Sequence, residues 1–278
     1  MNPKKYFKDK VILITGAGSG IGKALSEELS NFLPKKIILS DLNQNSIEEV
    51  AKDLNEKNIA TELYKVDVST DSEMVKMFEN ILKTNNQIDI VFNNAGIAFG
   101  GEFHNYTFSD WDKIININLK GVIYGSNLAY KQMIKQNSGH IVNTASLGGL
   151  IPEPMASAYA TTKHAVVGLS TTLREEGFLY NVKVSVVCPG VINTPIFDKA
   201  LYVGDVDKEK VKIATLEHGA ISPNLCAKKI LKQVAKNKAI ILVKSFDKIF
   251  WKLYRFNPGI LSPLNRFIAK YFKENFKK

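Results

Sequence analysis

Residues 11–22 read VILITGAGSGIG: four apolar residues, a threonine, and then glycine at every second position from Gly16 to Gly22. An unbroken run of Val, Ile and Leu closed by a polar residue reads as a strand. The glycines mark a sharp turn, and the segment from Lys23 onward reads as a helix. Positions without side chains let the backbone turn tightly and let a phosphate approach the unpaired N–H groups at a helix start. The pattern is narrower than a bare GxGxxG. It is Thr-Gly-x-x-x-Gly-x-Gly over Thr15, Gly16, Gly20 and Gly22, which predicts a dinucleotide cradled where the first strand meets its helix.

Outward from this turn, short β-branched runs alternate with longer amphipathic stretches. Strands are expected at 11–14, 37–40, 62–66, 90–92, 140–144, 182–187 and 239–243. Between them lie helix-start signals: Thr70 with Glu73 as a capping box, and Ser222-Pro223 as a cap followed by a proline in the first turn. Strands alternating with helices build right-handed βαβ units. The expected fold is therefore α/β, a Rossmann-type doubly wound parallel sheet of about seven strands with a C-terminal amphipathic helical extension. Residues 1–245 form the dinucleotide-binding and catalytic domain in this reading, and 246–278 the extension.

Charge is unevenly placed along the chain of 278 residues. Residues 240–278 hold nine Lys/Arg against two Asp/Glu, and residues 1–10 hold four Lys against one Asp, leaving 11–239 with no net charge. Basic ends on a neutral body suit a surface-binding edge. Only Arg174, Arg255 and Arg266 are arginines, and without a stacking platform of aromatic and basic residues nucleic acid is excluded as a partner. Cys188 and Cys226 follow no metal-ligand spacing, nor do His104, His140, His164 and His218, so no metal site is expected. No apolar run reaches the ~18 residues of a membrane span, and residues 1–10 lack a signal core. A cytoplasmic protein with reduced thiols follows as the expectation.

Asp41 comes 21 residues after Gly20, where a carboxylate would meet the adenosine ribose hydroxyls and repel a 2′-phosphate. It would also serve as a helix N-cap. Ser19 and Leu42 offer no positive charge to a phosphate, which favours NAD over NADP. Asp67 is similarly placed after the third strand, near the adenine edge or as a cap. Asn93-Asn94-Ala95-Gly96 closes the fourth strand, with amides and a glycine that support strand ends or form a plain turn. Tyr159 and Lys163 are four residues apart, which puts them on one helix face. A free phenol titrates near pH ~10, and a neighbouring ammonium would lower that value toward useful proton exchange. Ser146, thirteen residues earlier, would hydrogen-bond the reacting oxygen.

Taken together, TGAGSGIG, Asp67, NNAG, Asn118, Ser146, YATTK and Pro189-Gly190 resemble the short-chain dehydrogenase/reductase family across residues 8–240. The resemblance implies a catalytic tetrad of Asn118, Ser146, Tyr159 and Lys163, with reversible hydride transfer between a nicotinamide cofactor and an alcohol or carbonyl. Tyr159 would exchange the proton, Ser146 orient the oxygen, Lys163 lower the tyrosine pKa and hold the nicotinamide ribose, and Asn118 hold a water in a relay to solvent. Cofactor contacts are implied at Thr15, Gly16, Ser19, Gly20, Ile21, Gly22, Asp41, Asp67, Val68, Asn94, Ala95, Gly96, Tyr159, Lys163, Pro189, Gly190, Ile192 and Thr194, with no metal. A homo-oligomer is expected. A nucleotide-sensing or membrane-associated binding protein without turnover is the alternative reading, and an intact tetrad argues against it.

The segment 195–220, with Ile196, Phe197, Leu201, Tyr202 and Val203, borders the expected substrate, as do Leu147, Leu150, Ile151 and Met155. Their apolar character suggests a lipophilic alcohol or ketone. Past Val243, Phe246, Ile249, Phe250 and Leu253 recur at helical spacing opposite Lys248, Lys252 and Arg255, Asn257-Pro258-Gly259 breaks the pattern, and Leu264, Phe267, Ile268, Tyr271 and Phe272 oppose Arg266, Lys270, Lys273 and Lys277. Two readings of this extension stand: packing on the body or a second subunit, and peripheral contact with an anionic membrane surface.

Overall fold

The computed structural model describes residues 2–217 and 219–276, so His218 and Lys277 lie outside the described residues. Helix α1 (Pro3–Phe7) precedes a regular alternation: β1 (Val11–Thr15), α2 (Gly20–Ser30), β2 (Lys36–Asp41), α3 (Gln44–Asn55), β3 (Thr61–Lys65), α4 (Asp71–Asn85) and β4 (Ile90–Asn93). A short β5 (Phe99–Gly100) leads to α5 (Phe108–Ile115), a π-helical turn (Asn116–Lys120), α6 (Gly121–Gln136) and β6 (Gly139–Thr144). Then come α7 (Ser157–Phe178), β7 (Val182–Cys188), β8 (Leu201–Tyr202), α8 (Lys208–Glu217), α9 (Pro223–Val234) and β9 (Ile240–Leu242). The extension is α10 (Ser245–Phe256) and α11 (Ser262–Asn275), joined by a 3-10 turn (Pro258–Leu261).

Seven strands form one parallel sheet in the order β3-β2-β1-β4-β6-β7-β9. All seven expected strands are present, with no end moved by more than one residue. Strand β1 explains why its sequence is apolar throughout. Ile12 and Ile14 point to one face and pack with Leu25 and Leu29 of α2, Ile47 and Leu54 of α3, and Ile230 and Leu231 of α9. Val11 and Leu13 point to the other and pack with Met74, Met77 and Ile81 of α4 and Met133 of α6. Alternate side chains of a strand address opposite faces, and here both faces are covered by helices. The chain winds outward from β1 to β3, then returns to β4 beside β1. Ligands of such sheets lie outside the strand C-termini at this reversal.

Two local expectations are corrected. Thr70 precedes α4 but its side chain makes no capping bond; Glu73 instead reaches past it to accept from the Asp67 N–H at 2.8 Å. Helix α2 begins at Gly20 rather than near Lys23, so the last two glycines of the turn are already its first residues. The Ser222 cap holds, with Oγ accepting from the Leu225 N–H at 3.3 Å and Pro223 in the first turn. The sequence also gave no sign of the second, two-stranded parallel sheet of β5 and β8, because each strand is only two residues long.

Candidate active site

The glycine turn is fastened to the C-terminal end of β4. Thr15 Oγ1 accepts from the N–H groups of Asn94 and Ala95 at 3.0 and 3.1 Å, and Asn94 Nδ2 donates to the Thr15 carbonyl at 3.1 Å. Asn93, by contrast, points into the protein, donating to Asn143 Oδ1 at 2.8 Å. The two asparagines thus brace adjacent strand ends. Gly16 has φ +64° and a Cβ there would lie 2.8 Å from Ala95 Cα, so both conformation and contact require glycine. Gly20 has φ +53°, and its missing Cβ faces the Thr194 side chain at 3.2 Å. Residues 174 apart therefore meet across a narrow gap.

Asp41 stands at the end of β2. Its Oδ2 accepts from the Gly18 N–H and its Oδ1 from the Asn43 N–H, both at 3.0 Å. The cap of α3 is Asn43, whose side chain accepts from Ser46, so the carboxylate is held against the glycine turn instead. Asp67 Oδ1 accepts from the Ser69 N–H and hydroxyl at 2.9 and 2.7 Å, which shapes the loop after β3 rather than capping α4. Val68 beside it is buried and packs close to Gly121 at the start of α6. Ser19 is the N-cap residue of α2 without a side-chain cap bond, and Ile21 packs partly buried against the core.

Ser146, Tyr159, Lys163 and Asn118 converge at the C-terminal ends of β4 and β6. Ser146 Oγ accepts from the Gly148 N–H at 3.1 Å and lies beside the Tyr159 phenol. Lys163 is buried, and its Nζ donates to the Thr144 carbonyl at 3.1 Å and lies 5.5 Å from the Tyr159 ring centroid. Asn118 is fully buried in the π-helical turn. Its Oδ1 accepts from the Ile97 N–H at 2.8 Å and its Nδ2 donates to the Ile97 carbonyl at 2.9 Å. Both ends of that amide are thereby occupied in fixing the backbone after Gly96.

Burial pushes the Tyr159 phenol up, the Glu153 carboxylate adds to this, and the Ser146 hydrogen bond opposes both. Burial pushes Lys163 down to about 8, which leaves it largely protonated at neutral pH. The sequence reading had Lys163 lowering the tyrosine pKa. Here desolvation sets the direction, and the ammonium donates to the Thr144 carbonyl. Glu153 was not singled out from sequence: it sits between Ser146 and Tyr159 with no motif around it, and is raised to about 7. Its carboxylate rests on Gly148, where a side chain would collide with it.

The segment after β7 completes the cleft. The Pro189 carbonyl accepts from the Leu147 N–H at 2.8 Å, linking it to the Ser146 loop. Ile192 bridges to Ile221, and Asn193 N–H donates to the Ile221 carbonyl at 2.9 Å. Leu201 and Val203 join Phe99, Ile114, Ile97 and Trp111 in the apolar cluster that includes the Tyr159 ring. No group of His, Cys, Asp or Glu side chains able to hold a metal exists among the described residues.

This geometry has counterparts. The short chain dehydrogenase family model matches residues 10–201. SadH of Mycobacterium tuberculosis, named as an oxidoreductase, is 33% identical over 240 residues, covering 85% of this chain and 87% of its own. An uncharacterized oxidoreductase of Staphylococcus epidermidis is 33% identical over 189 residues, covering 68% of this chain and 80% of its own. Among solved structures, a short-chain dehydrogenase/reductase from Burkholderia phymatum in complex with NAD superposes with a TM-score of 0.83 at 25% identity, covering 92% of this chain and 96% of that one. An NAD+-bound xylitol dehydrogenase gives 0.76 at 26% identity, covering 85% and 97%.

Proposed function

The chain belongs to the short-chain dehydrogenase family of oxidoreductases, and from that premise we propose that it oxidises a lipophilic alcohol, or reduces the matching ketone, with NAD. Family membership supports nicotinamide-dependent oxidoreduction. The observation that carries the finer reading is the Tyr159 ring set among Leu201, Val203 and Trp111, with the Ser146 hydroxyl beside its phenol. A proton-exchanging group lies in an apolar wall.

The glycine turn fits the cofactor, because it is a tight turn whose glycines leave no room for a Cβ against Ala95, Ser46 and Thr194 and the N-terminus of α2 opens beside it. Thr15, Gly16, Ser19, Gly20, Ile21 and Gly22 would hold the pyrophosphate half, with Asp67, Val68, Asn94, Ala95 and Gly96 along the sheet edge. Pro189, Gly190, Ile192 and Thr194 would hold the nicotinamide end. Asp41 favours NAD, because a 2′-phosphate beside a carboxylate already fixed on the Gly18 N–H would be repelled. Two of the similar solved structures are described with NAD. When bound, the nicotinamide ring accepts or supplies the hydride.

The chain's own residues handle the oxygen and its proton. Tyr159 takes the proton from the alcohol O–H during oxidation and returns it during reduction. Ser146 donates to the substrate oxygen and orients it. Lys163 carries positive charge at neutral pH, which favours the phenolate once substrate is in place. Asn118, its amide fixed on the Ile97 backbone with one N–H and one lone pair to spare, would hold a water in a relay to solvent. A turnover screen of lipophilic and polar alcohols with NAD, read as NADH appearance, tests the assignment, with Tyr159→Phe as control. Lipophilic alcohols are expected to turn over and Tyr159→Phe to be inactive with NAD affinity nearly intact. More than about a tenth of the wild-type kcat in that variant, a barrier change under ~1.4 kcal/mol, overturns Tyr159 as the proton carrier.

A further inference from the structure

The C-terminal extension is attached to the active-site loops at both ends, yet its apolar face is uncovered. At the near end, Asp247 of α10 is 4% exposed. Its carboxylate lies against the backbone of Gly190 and Lys244, which opposes the rise that burial imposes on its pKa. A Cβ on Gly190 would lie 2.9 Å from its Oδ2, and Trp251, one turn further on, packs against the cluster holding Val186, Cys188 and Leu242. At the far end, the carbonyl of Phe276, just past α11, accepts from the Asp207 N–H at 2.8 Å. Asp207 directly precedes α8 in the segment read as bordering the substrate. The extension therefore spans from the nicotinamide-flanking loop to the substrate loop.

Away from these anchors, Phe246, Ile249, Leu253 and Phe256 of α10 and Leu264, Phe267, Ile268 and Tyr271 of α11 are all at least 40% exposed, with Phe256 at 87%. Lysines and arginines flank them: Lys248, Lys252, Arg255, Arg266, Lys270 and Lys273. So large an exposed apolar surface marks a contact site. A second copy of this chain is disfavoured as its occupant. A two-fold interface places one patch against itself, and here that would face the six Lys/Arg of α10 and α11 against six, with Glu274 the one exposed acid of these helices on each side. An anionic surface with an apolar interior matches both properties at once.

We propose that α10 and α11 together dock this protein on an anionic lipid bilayer, with the substrate loop held at the membrane surface. No helix of the described residues is long and apolar enough to cross a membrane, so the contact lies in the interface plane. The purpose of docking rests on the lipophilic-substrate reading: an alcohol dissolved in lipid would reach the cleft from the bilayer.

The test is co-sedimentation of the full chain with vesicles of phosphatidylcholine plus phosphatidylglycerol, and of phosphatidylcholine alone, beside light scattering. Binding to the anionic vesicles is expected at low salt, with release as the Debye length falls from ~10 Å at 0.1 M toward ~3 Å at 1 M. The double variant Phe256→Gln/Phe267→Gln, which changes only exposed rings, is expected to bind about tenfold or more weakly while keeping its mass in solution. Absence of binding at low salt overturns the proposal, and so does equal, salt-independent binding to both vesicle types. A change of oligomer mass in the double variant with vesicle binding unaltered also overturns it and assigns the face to a second copy. Vesicle binding is measured without any alcohol, so a failed substrate screen beside intact binding overturns the substrate reading alone.

Discussion

At the scale of single residues, the site depends on what is missing from Gly16 as much as on what Tyr159 carries. A methyl group at Gly16 meets both a left-handed backbone and Ala95 Cα at 2.8 Å. The conformation alone costs about 1–2 kcal/mol, and the contact forces the end of β4 aside. Gly16→Ala is expected to lower stability by about 2 kcal/mol or more in urea melts and to weaken NAD binding, measured by calorimetry. Asp41 gives a sharper test, because its two bonds hold the glycine turn and Asn43, the N-cap residue of α3. The unmodified protein is expected to prefer NAD in kcat/KM, and Asp41→Ala to reduce that preference. Comparable kcat/KM for NAD and NADP in the unmodified protein would leave this carboxylate with a purely structural role.

At the scale of elements, the short helix α1 is held to the sheet by a chain of hydrogen bonds whose direction can be assigned. Ser185 Oγ donates to the Lys238 carbonyl at 2.6 Å, so it accepts from His140 Nε2–H at 2.8 Å, and His140 Nδ1 accepts from the Tyr6 hydroxyl at 2.7 Å. Both ring nitrogens are satisfied in the neutral form, and His140 is fully enclosed between β4 and β7. Burial pushes its pKa down to about 3, with Lys183 and Arg174 adding to the effect. The unfolded chain takes up this proton near pH ~6.5 while the folded one refuses it. Stability is therefore complete above pH ~6.5 and falls as pH drops toward 3, by at most about 1.4 kcal/mol per pH unit from this group. Melting curves from pH 7 to 5 are expected to show that loss, and His140→Gln to flatten it while lowering stability at neutral pH. Tyr6→Phe, which orphans Nδ1, is expected to cost about 1–3 kcal/mol and to release α1 to proteolysis.

At the scale of the whole molecule, the central question is whether the extension is an appendage or part of the catalytic body. Asp247 argues for the second, since its carboxylate is packed on Gly190, in the loop read as flanking the nicotinamide. Burial raises its pKa, and Oδ2 has no side-chain or backbone partner within hydrogen-bonding geometry. Asp247→Ala is expected to loosen α10, seen as faster hydrogen exchange over residues 245–256, and to raise the Kd for NAD through Gly190. Unchanged NAD affinity beside faster exchange would confine Asp247 to holding the helix.

Much of this protein was legible along the chain because the signals are local. Continuous apolar runs read as strands, four-residue spacing puts Tyr159 and Lys163 on one helix face, and a glycine-filled run after a strand reads as a sharp turn into a helix. These depend only on backbone periodicity and on which residues tolerate which φ. The charge asymmetry and the two amphipathic stretches of the extension belong to the same class. What the sequence could not determine were encounters between distant segments. Gly20 against Thr194, Asp247 against Gly190, His140 between Tyr6 and Ser185, and both amide atoms of Asn118 on Ile97 follow from the order in which the strands are laid down. The same holds for the direction in which the extension turns its faces: sequence showed an apolar stripe, but only packing decided that Trp251 lies inward and Phe256 outward. The Tyr159 pKa belongs here as well. Spacing brought the ammonium near, whereas desolvation by surrounding chain, which no local pattern encodes, set the direction of the shift.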